Sequence, residues 1–229
     1  MEGPWSSTVG RMSPGGSQAI KQAVKVDAGA TGRPLRRDAE RNRERILAAA
    51  RELFTEQGLG VGVDEIARRA GVGMGTLYRR FPNKDALVEE TLLTAVGQVR
   101  ELAAAAIAAE PRGQALREFL MVSMTDDTCR WAFVSHRLWT GRTRAAVAGE
   151  VVPLISTMFA DAQATGAVRG DAVLADLIVL LRALRVVMEL SEPSTGTWRR
   201  YVGLMLDALR PSEHNSPLDE PSFPIDWLP

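Results

Sequence analysis

The chain has 229 residues, 45% of them hydrophobic and 24% charged, which is ordinary for a globular protein with one large or two modest domains. Its formal net charge is zero, so overall charge indicates no class of partner, and the single Cys129 excludes an intrachain disulfide. No stretch approaches eighteen uninterrupted apolar residues and the N-terminus lacks an apolar signal core, so we expect a cytoplasmic protein that spans no membrane.

The charge is distributed unevenly along the chain. Residues 33–84 hold twelve Lys and Arg against seven Asp and Glu, a net charge of +5, whereas residues 85–229 hold thirteen against nineteen, a net charge of −6. A basic N-terminal module on an acidic body is what a nucleic-acid-binding protein needs, because contacts to phosphate dominate the affinity for DNA.

The N-terminal residues 1–35 are rich in Gly, Ser, Pro and Ala and show little periodicity, which predicts a flexible arm. The arginines at its end suit two roles, contact with a DNA groove or backbone and simple solubilisation, and both stay open. An apolar stripe then predicts a first helix from about Asp38 to Gln57, which Gly58 ends.

Residues 63–84 read VDEIARRAGVGMGTLYRRFPNK and predict two short helices joined by glycines. Apolar residues recur at helical spacing as far as Ala70, Gly71 is a natural left-handed terminator, and a second helix follows from about Met74 to Phe81. Together with the first helix they predict a three-helix domain, residues 36–83, of the helix-turn-helix type, whose last helix enters the major groove of DNA.

The outward residues of this last helix have the chemistry that DNA requires. Gly75 lets the backbone approach a base edge closely, and Thr76 offers a hydroxyl and a methyl group for base recognition. Neighbouring cationic and phenolic side chains are phosphate donors that fix the position of the helix. The predicted DNA-binding residues are Met74, Gly75, Thr76, Tyr78, Arg79, Arg80 and Lys84. The alternative is a helical hairpin whose arginines only solvate its surface.

At these residues the chain resembles the TetR (tetracycline-repressor-like) family of transcriptional regulators. Residues 66–87, IARRAGVGMGTLYRRFPNKDAL, are similar to the DNA-binding domain of that family, and residues 46–58, ILAAARELFTEQG, to its first helix. Gly62 and Gly73 stand where the family often has Thr or Ser. A glycine cap costs only about a few tenths of a kcal/mol, so the fold is unaffected, but neither position offers a hydroxyl to a phosphate.

A fourth helix over residues 84–109 would be roughly 38 Å long, which is too long for the small domain, so we expect it to bridge into a second one, residues 84–210. Further helices are predicted over 114–126, 129–138, 143–165, 172–190 and 197–209, which makes an all-α protein of about nine helices. Pro153 predicts a kink. Residues 211–229, with five prolines and little pattern, predict a tail.

The resemblance implies that the second domain binds a ligand and forms a homodimer through its last two helices. The dimer residues predicted on that basis are Leu177, Leu181, Leu184, Met188, Trp198, Val202 and Met205. The predicted ligand-binding residues are Phe119, Trp131, Phe133, His136, Arg137, Trp139 and Phe159, with plain core packing as the alternative for each aromatic. Such pockets are apolar with few polar groups, so we expect a hydrophobic or amphipathic small molecule.

The predicted function is a ligand-responsive regulator, by default a repressor, that binds a palindromic operator in double-stranded DNA as a dimer and is released by the effector. The sequence also allows the opposite role, that of an activator. The alternative function is a helical ligand-binding dimer whose head no longer reads DNA, and Gly62 and Gly73 are its only support. We find no metal-ligand spacing, phosphate-cradling loop or catalytic constellation, so we expect no enzyme, metal or cofactor.

Overall fold

The structure, a computed structural model, describes residues 34–125, 138–190, 196–219 and 222. Helices run through most of these ranges, and a short 3-10 turn, Gly58–Gly60, follows the first of them. The helices are α1 (Pro34–Gln57), α2 (Val63–Ala70), α3 (Met74–Arg80), α4 (Lys84–Ala109), α5 (Ala115–Thr125), α6 (Gly141–Ala164), α7 (Leu174–Leu190) and α8 (Trp198–Ala208). The predicted all-α fold, with an N-terminal helix-turn-helix and a helical C-terminal part, is confirmed.

The predicted helix limits differ from the observed ones mainly at the start of α1. This helix begins at Pro34 rather than near Asp38. Proline is well suited to a first helical turn, because its missing N–H would have no partner within the helix there. The predicted helix over residues 129–138 lies outside the described residues except for Leu138. The arm predicted over residues 1–35 also lies outside them, except for Pro34 and Leu35, which belong to α1.

Helices α1, α2 and α3 enclose a small hydrophobic core at the N-terminal end. Ile46 and Leu53 on α1, Ile66 on α2 and Leu77 on α3 are fully buried, and Phe81 joins them just beyond α3. Each helix contributes apolar residues from one face only, so burial of that face stabilises all three together. We call residues 36–83 the head and the described residues that follow α4 the body.

Helix α4 connects the head to the body. Asn83 caps it by accepting a hydrogen bond from the Ala86 N–H at 2.8 Å. The helix packs against α1 in the head and against α5 and α6 in the body, with Leu87, Leu92 and Val99 on its buried face. Among the described helices, α4 and α6 are long and apolar enough to cross a membrane, judged by length and composition only. Each buries part of its apolar surface in the core of the protein.

In the body, α5 and α6 pack against α4 and against each other. Helix α8 packs against α5, and α7 packs against α8. Helix α6 is irregular, because Val147–Val151 forms a π-helical turn just before Pro153. A proline inside a helix donates no N–H, and its ring clashes with the carbonyl four residues earlier, here that of Gly149. A widened turn relieves that clash. The structure therefore has a π turn on the N-terminal side of Pro153, and the predicted kink stays a prediction.

The described part of the C-terminal segment, residues 211–219, lies against the turn before α7. Arg169 donates a hydrogen bond to the Ser216 carbonyl at 2.5 Å, and the Leu218 N–H donates to the Asp171 carboxylate at 3.4 Å. These contacts are backbone to side chain, so the composition of the segment does not reveal them. Residues 211–219 are consequently anchored rather than a free tail.

Candidate DNA-binding interface

The turn between α2 and α3 is built on one left-handed residue. Gly71 has φ 63° and ψ 40°, a conformation that strains any L side chain, and its N–H donates to the Arg68 carbonyl at 3.1 Å. The Val72 N–H donates to the Ala67 carbonyl at 3.0 Å, which completes the usual glycine termination of a helix. The chain then starts α3 at once, so the two helices meet across a tight, fixed turn.

Helix α3 exposes most of its surface. Leu77 is its buried residue, whereas Tyr78 is 48% exposed and Met74 38% exposed. Thr76 is half-buried, and Gly75, Arg79 and Arg80 are exposed. The predicted DNA-binding residues of α3 therefore share the outer side of the head, where a long ligand such as a duplex has access to them.

Gly75 has no intramolecular reason to lack a side chain. A Cβ atom built there would have no neighbour within 4 Å, and the residue lies in a regular helix. Glycine at an exposed helical position costs about 1 kcal/mol relative to alanine. The free space above Gly75 is thus available to another molecule that approaches the backbone closely.

Arg79 folds back over the outer side of α3. Its Nε donates to the Gly75 carbonyl at 3.1 Å, and its Nη2 lies 3.4 Å from the Thr76 hydroxyl oxygen. The guanidinium therefore places positive charge beside the two positions that were predicted to contact bases. Both contacts are exposed, so little free energy opposes their exchange for contacts with a phosphate.

Lys84 has a structural role that the sequence does not predict. Its ammonium group donates to the carbonyl oxygens of Leu59 and Val61 at 2.5 and 2.6 Å. Two of its three N–H groups are therefore committed to the segment between α1 and α2, which leaves one for a phosphate. The partners lie more than twenty residues away in the chain, so no local pattern could have identified them.

Two arginines of α1 have different surroundings. Arg45 is exposed and donates to the Gly71 carbonyl at 3.2 Å, which places its charge at the turn that precedes α3. Arg43 instead faces α4 and donates to Glu90 at 2.8 Å. Arg45 thus lies beside the predicted interface, and Arg43 belongs to the junction between head and body.

The two glycines that depart from the family pattern occupy N-cap positions. Gly62 and Gly73 have extended backbones and make no side-chain cap hydrogen bond. A Cβ atom at Gly73 would have no neighbour within 4 Å, whereas at Gly62 it would lie 2.3 Å from an oxygen of the Asp64 side chain. The helices form without these side-chain caps, as expected from the small cost of a glycine N-cap.

Only part of the predicted ligand site falls within the described residues. Phe119 on α5 and Phe159 on α6 are buried in the core of the body, and Trp139 is half-buried just before α6. Trp131, Phe133, His136 and Arg137 lie outside the described residues. The burial of the two phenylalanines suits both a pocket wall and plain core packing, so the ligand site stays a prediction.

The single chain itself covers most of the predicted dimer residues, so their role in a dimer stays a prediction. Within the single chain the side chains of six of them are buried, and that of Met188 is not described. The six are Leu177, Leu181, Leu184, Trp198, Val202 and Met205. They are used by the chain's own core, since α7 packs on α8 and α8 on α5. Among the described side chains of α7 and α8, the large apolar ones left exposed are Val186, Tyr201 and Leu204, at 46%, 41% and 54%.

Comparison with known proteins connects this geometry to a family. The family model described as "Bacterial regulatory proteins, tetR family" matches residues 46–91, which cover the turn, α3 and the start of α4. An HTH-type transcriptional regulator of Staphylococcus aureus is 46% identical over 54 residues, 23% of this chain and 29% of that protein. The match to such curated relatives thus spans less than a third of their length.

Two solved structures are similar over most of the chain. The TetR transcription regulatory protein of Mycobacterium vanbaalenii is 36% identical, with a TM-score of 0.56, and the match covers 78% of this chain and 100% of that one. A TetR transcriptional regulator of Streptomyces coelicolor is 29% identical, with a TM-score of 0.53, and the match covers 74% of this chain and 99% of that one. The similarity therefore extends beyond the head into the body.

Proposed function

This chain belongs to the TetR family of bacterial regulatory proteins, and from that premise we propose that it is a repressor that binds a palindromic operator as a homodimer and dissociates when a small molecule binds its body. The observation that carries the proposal is the exposed outer side of α3, where Gly75, Thr76 and Tyr78 lie beside Arg79 and Arg80. In this proposal residues 36–83 bind DNA, and residues 84–210 form the regulatory and dimerisation domain.

In the proposed interface, some residues recognise bases and others position α3 by contacts to phosphates. Thr76 contacts a base edge, and the uncovered backbone at Gly75 allows α3 to enter the major groove deeply. Tyr78, Arg80 and Arg45 contact phosphates on either side, and Arg79 exchanges its contacts with its own helix for a phosphate. Because several cations release counterions together, binding weakens steeply as salt rises.

The proposed dimer forms through the faces of α7 and α8 that the single chain leaves uncovered. Val186, Tyr201 and Leu204 supply apolar surface there. Tyr201 and Leu204 are three residues apart and therefore lie on one side of α8. A two-fold dimer places two copies of α3 on successive turns of the duplex, which lets one protein read both halves of a palindrome.

The proposed effector is a hydrophobic or amphipathic small molecule bound among the middle helices, near Phe119 and Phe159. It acts only by favouring a conformation whose heads do not fit the operator. A loss of DNA affinity of about 80-fold requires a coupling free energy of about 2.6 kcal/mol between the two sites. We place the protein in the cytoplasm, where DNA and effector are both accessible. The regulators of this family bind DNA and are not enzymes.

Selection of duplex fragments from a random library by the full-length protein tests the DNA-binding part of this proposal. Tyr78→Ala should weaken binding to every fragment, whereas Thr76→Val should change which fragments are enriched. Ser156→Ala, at an exposed position of the body, is the control and should match the wild type. Unchanged affinity and unchanged enrichment in both α3 variants would remove this helix from the interface.

The second candidate function is a helical ligand-binding dimer whose head does not read DNA. The absence of a side-chain cap at Gly62 and Gly73, where a hydroxyl could bind phosphate, is the observation that favours it. Titration of a random-sequence duplex at several salt concentrations separates the two functions. A DNA-binding head gives a steep linear dependence of log affinity on log salt, and a head without that role gives none.

A further inference from the structure

A cluster of four charged side chains joins the head, α4 and the body. Arg43 on α1 donates to one carboxylate oxygen of Glu90 on α4, at 2.8 Å. Arg142 on α6 donates to the other oxygen of Glu90 at 3.2 Å and to Glu89 at 2.9 Å. We call Arg43, Glu89, Glu90 and Arg142 the Glu90 cluster. It connects three separate parts of the protein through one carboxylate.

The cluster is held in its charged form. Partial burial opposes ionisation of Glu90, but the hydrogen bonds from Arg43 and Arg142 outweigh it and hold the pKa of Glu90 below its usual value. Hydrogen bonds to Glu89 and Glu90 raise the pKa of Arg142. The Thr140 hydroxyl also donates to Glu89, at 2.5 Å, so the residue before α6 is tied to α4 as well.

Helix α6 extends from this cluster to the core of the body. Arg142 lies in its first turn and the buried Phe159 in its last part, with the π turn Val147–Val151 between them. A second ion pair, from Arg100 to Glu150 at 3.2 Å, links α4 to α6 further from the head. π turns inside α-helices recur at functional sites, and this one lies between Arg142 and Phe159 on the same helix.

We propose that Glu90 and Arg142 are positioning residues that hold the head at a fixed angle to the body. Helix α4 runs from the end of the head into the body. A small tilt of the head at Glu90 therefore displaces α3 and changes the distance between the two α3 helices of a dimer. The cluster thereby sets the half-site spacing that the dimer accepts. This inference rests on the proposed function, because it requires DNA binding by two heads.

A spacing series tests this inference in the full-length dimer. The half-site recovered by selection is synthesised once alone and as inverted pairs whose separation increases by one base pair at a time. The wild type should prefer one separation. Glu90→Gln and Arg142→Gln should reduce that preference by about two- to five-fold, the range expected for exposed ion pairs, with unchanged affinity for the single half-site.

Two further variants separate positioning from a general loss of structure. Arg100→Gln breaks the other ion pair between α4 and α6 and should keep the wild-type spacing profile. Arg142→Lys keeps the charge but loses the forked contact with both glutamates, and should fall between the wild type and Arg142→Gln.

The outcomes distinguish this inference from the proposed function. The inference is overturned if Glu90→Gln and Arg142→Gln have the same spacing profile as Arg100→Gln. It is also overturned if both variants lose as much affinity for the single half-site as for the paired half-sites. A wild type that accepts every separation equally overturns it too. A wild type that enriches no sequence from the library instead contradicts the proposed function itself.

Discussion

The ammonium group of Lys84, the first residue of α4, donates a hydrogen bond of 2.6 Å to the carbonyl oxygen of Val61, just before α2. A second hydrogen bond of 2.5 Å reaches the Leu59 carbonyl. Both carbonyls belong to the segment between α1 and α2. Lys84 therefore connects the start of the bridging helix to the segment that places α2 and α3.

The first prediction concerns this contact. Lys84→Met removes the charge but keeps most of the length of the side chain, and leaves both carbonyls without the donor. We expect the free energy of unfolding to fall by about 1.5–3 kcal/mol, the usual contribution of a hydrogen bond that involves a charged group. Urea denaturation measures it. Arg68→Met, on the exposed side of α2, is the control and should change the free energy of unfolding by less than about 0.5 kcal/mol; equal effects in both variants would contradict the assigned role.

The second prediction separates stability from DNA binding at Gly75. Gly75→Ala adds a methyl group that has no neighbour within 4 Å in the free protein. The free energy of unfolding should rise by up to about 1 kcal/mol, while affinity for selected duplex should fall, because the methyl group occupies the space that the duplex needs. Gly97→Ala on α4, which also has no neighbour within 4 Å, should not weaken DNA binding. Retained affinity in Gly75→Ala would show that DNA does not approach this backbone.

The third prediction tests the proposed dimer face. Leu204→Glu places a charge at a position that is 54% exposed in the single chain. The monomer should fold normally, but an unpaired carboxylate buried between two copies strongly disfavours association. Analytical ultracentrifugation should therefore show a shift from dimer to monomer with unchanged helix content by circular dichroism. Leu218→Glu, at a comparably exposed position of the C-terminal segment, should leave the association state unchanged. A Leu204→Glu variant that still dimerises with wild-type affinity would place the interface elsewhere.

The fourth prediction concerns pH and the anchored C-terminal segment. Hydrogen bonds from Arg169 hold the pKa of the Asp171 carboxyl at about 2, below its ordinary 3.8. A lowered pKa in the folded state stabilises the fold at pH values above about 3.8, and this contribution is lost as the pH falls through about 2. Asp171→Asn should therefore lower the melting temperature at neutral pH.

The difference in melting temperature between Asp171→Asn and the wild type should shrink below pH 3.8 and vanish near pH 2. Asp219→Asn, at an exposed position of the same segment, is the control and should change the melting temperature little at any pH. An NMR titration in which Asp171 has its ordinary pKa, or in which Arg169→Gln does not raise that pKa, would contradict the prediction.

Local patterns in the sequence were sufficient for the head. The periodicity up to Ala70, the terminator Gly71 and the proline after Phe81 predicted α2, the turn and α3, and the structure confirms all three elements. These features depend on contacts between residues a few positions apart, which a linear pattern records directly. The exposure of Tyr78 followed for the same reason, since Leu77 and Phe81 already account for the buried side of α3.

The dimer face shows where such patterns fail. Helices α7 and α8 are apolar around most of their circumference, so periodicity does not distinguish the face that the chain buries itself from the face that it leaves open. Leu177 and Val202 proved to be fully buried core residues, and Leu204 proved to be exposed. The choice between these faces depends on how α8 packs against α5, which lies more than seventy residues earlier in the chain.

The sequence by itself determined the all-α class, the helix-turn-helix and the length of α4, because each follows from helical spacing, caps and breakers within one segment. Only the tertiary structure decided that Lys84 holds the segment after α1, that Arg43 donates to Glu90 on α4, and that Arg142 reaches the same carboxylate from α6. These contacts join residues between 23 and 52 positions apart. Hydrogen bonds and ion pairs of that range depend on the packing of whole helices, and no local pattern of residues encodes it.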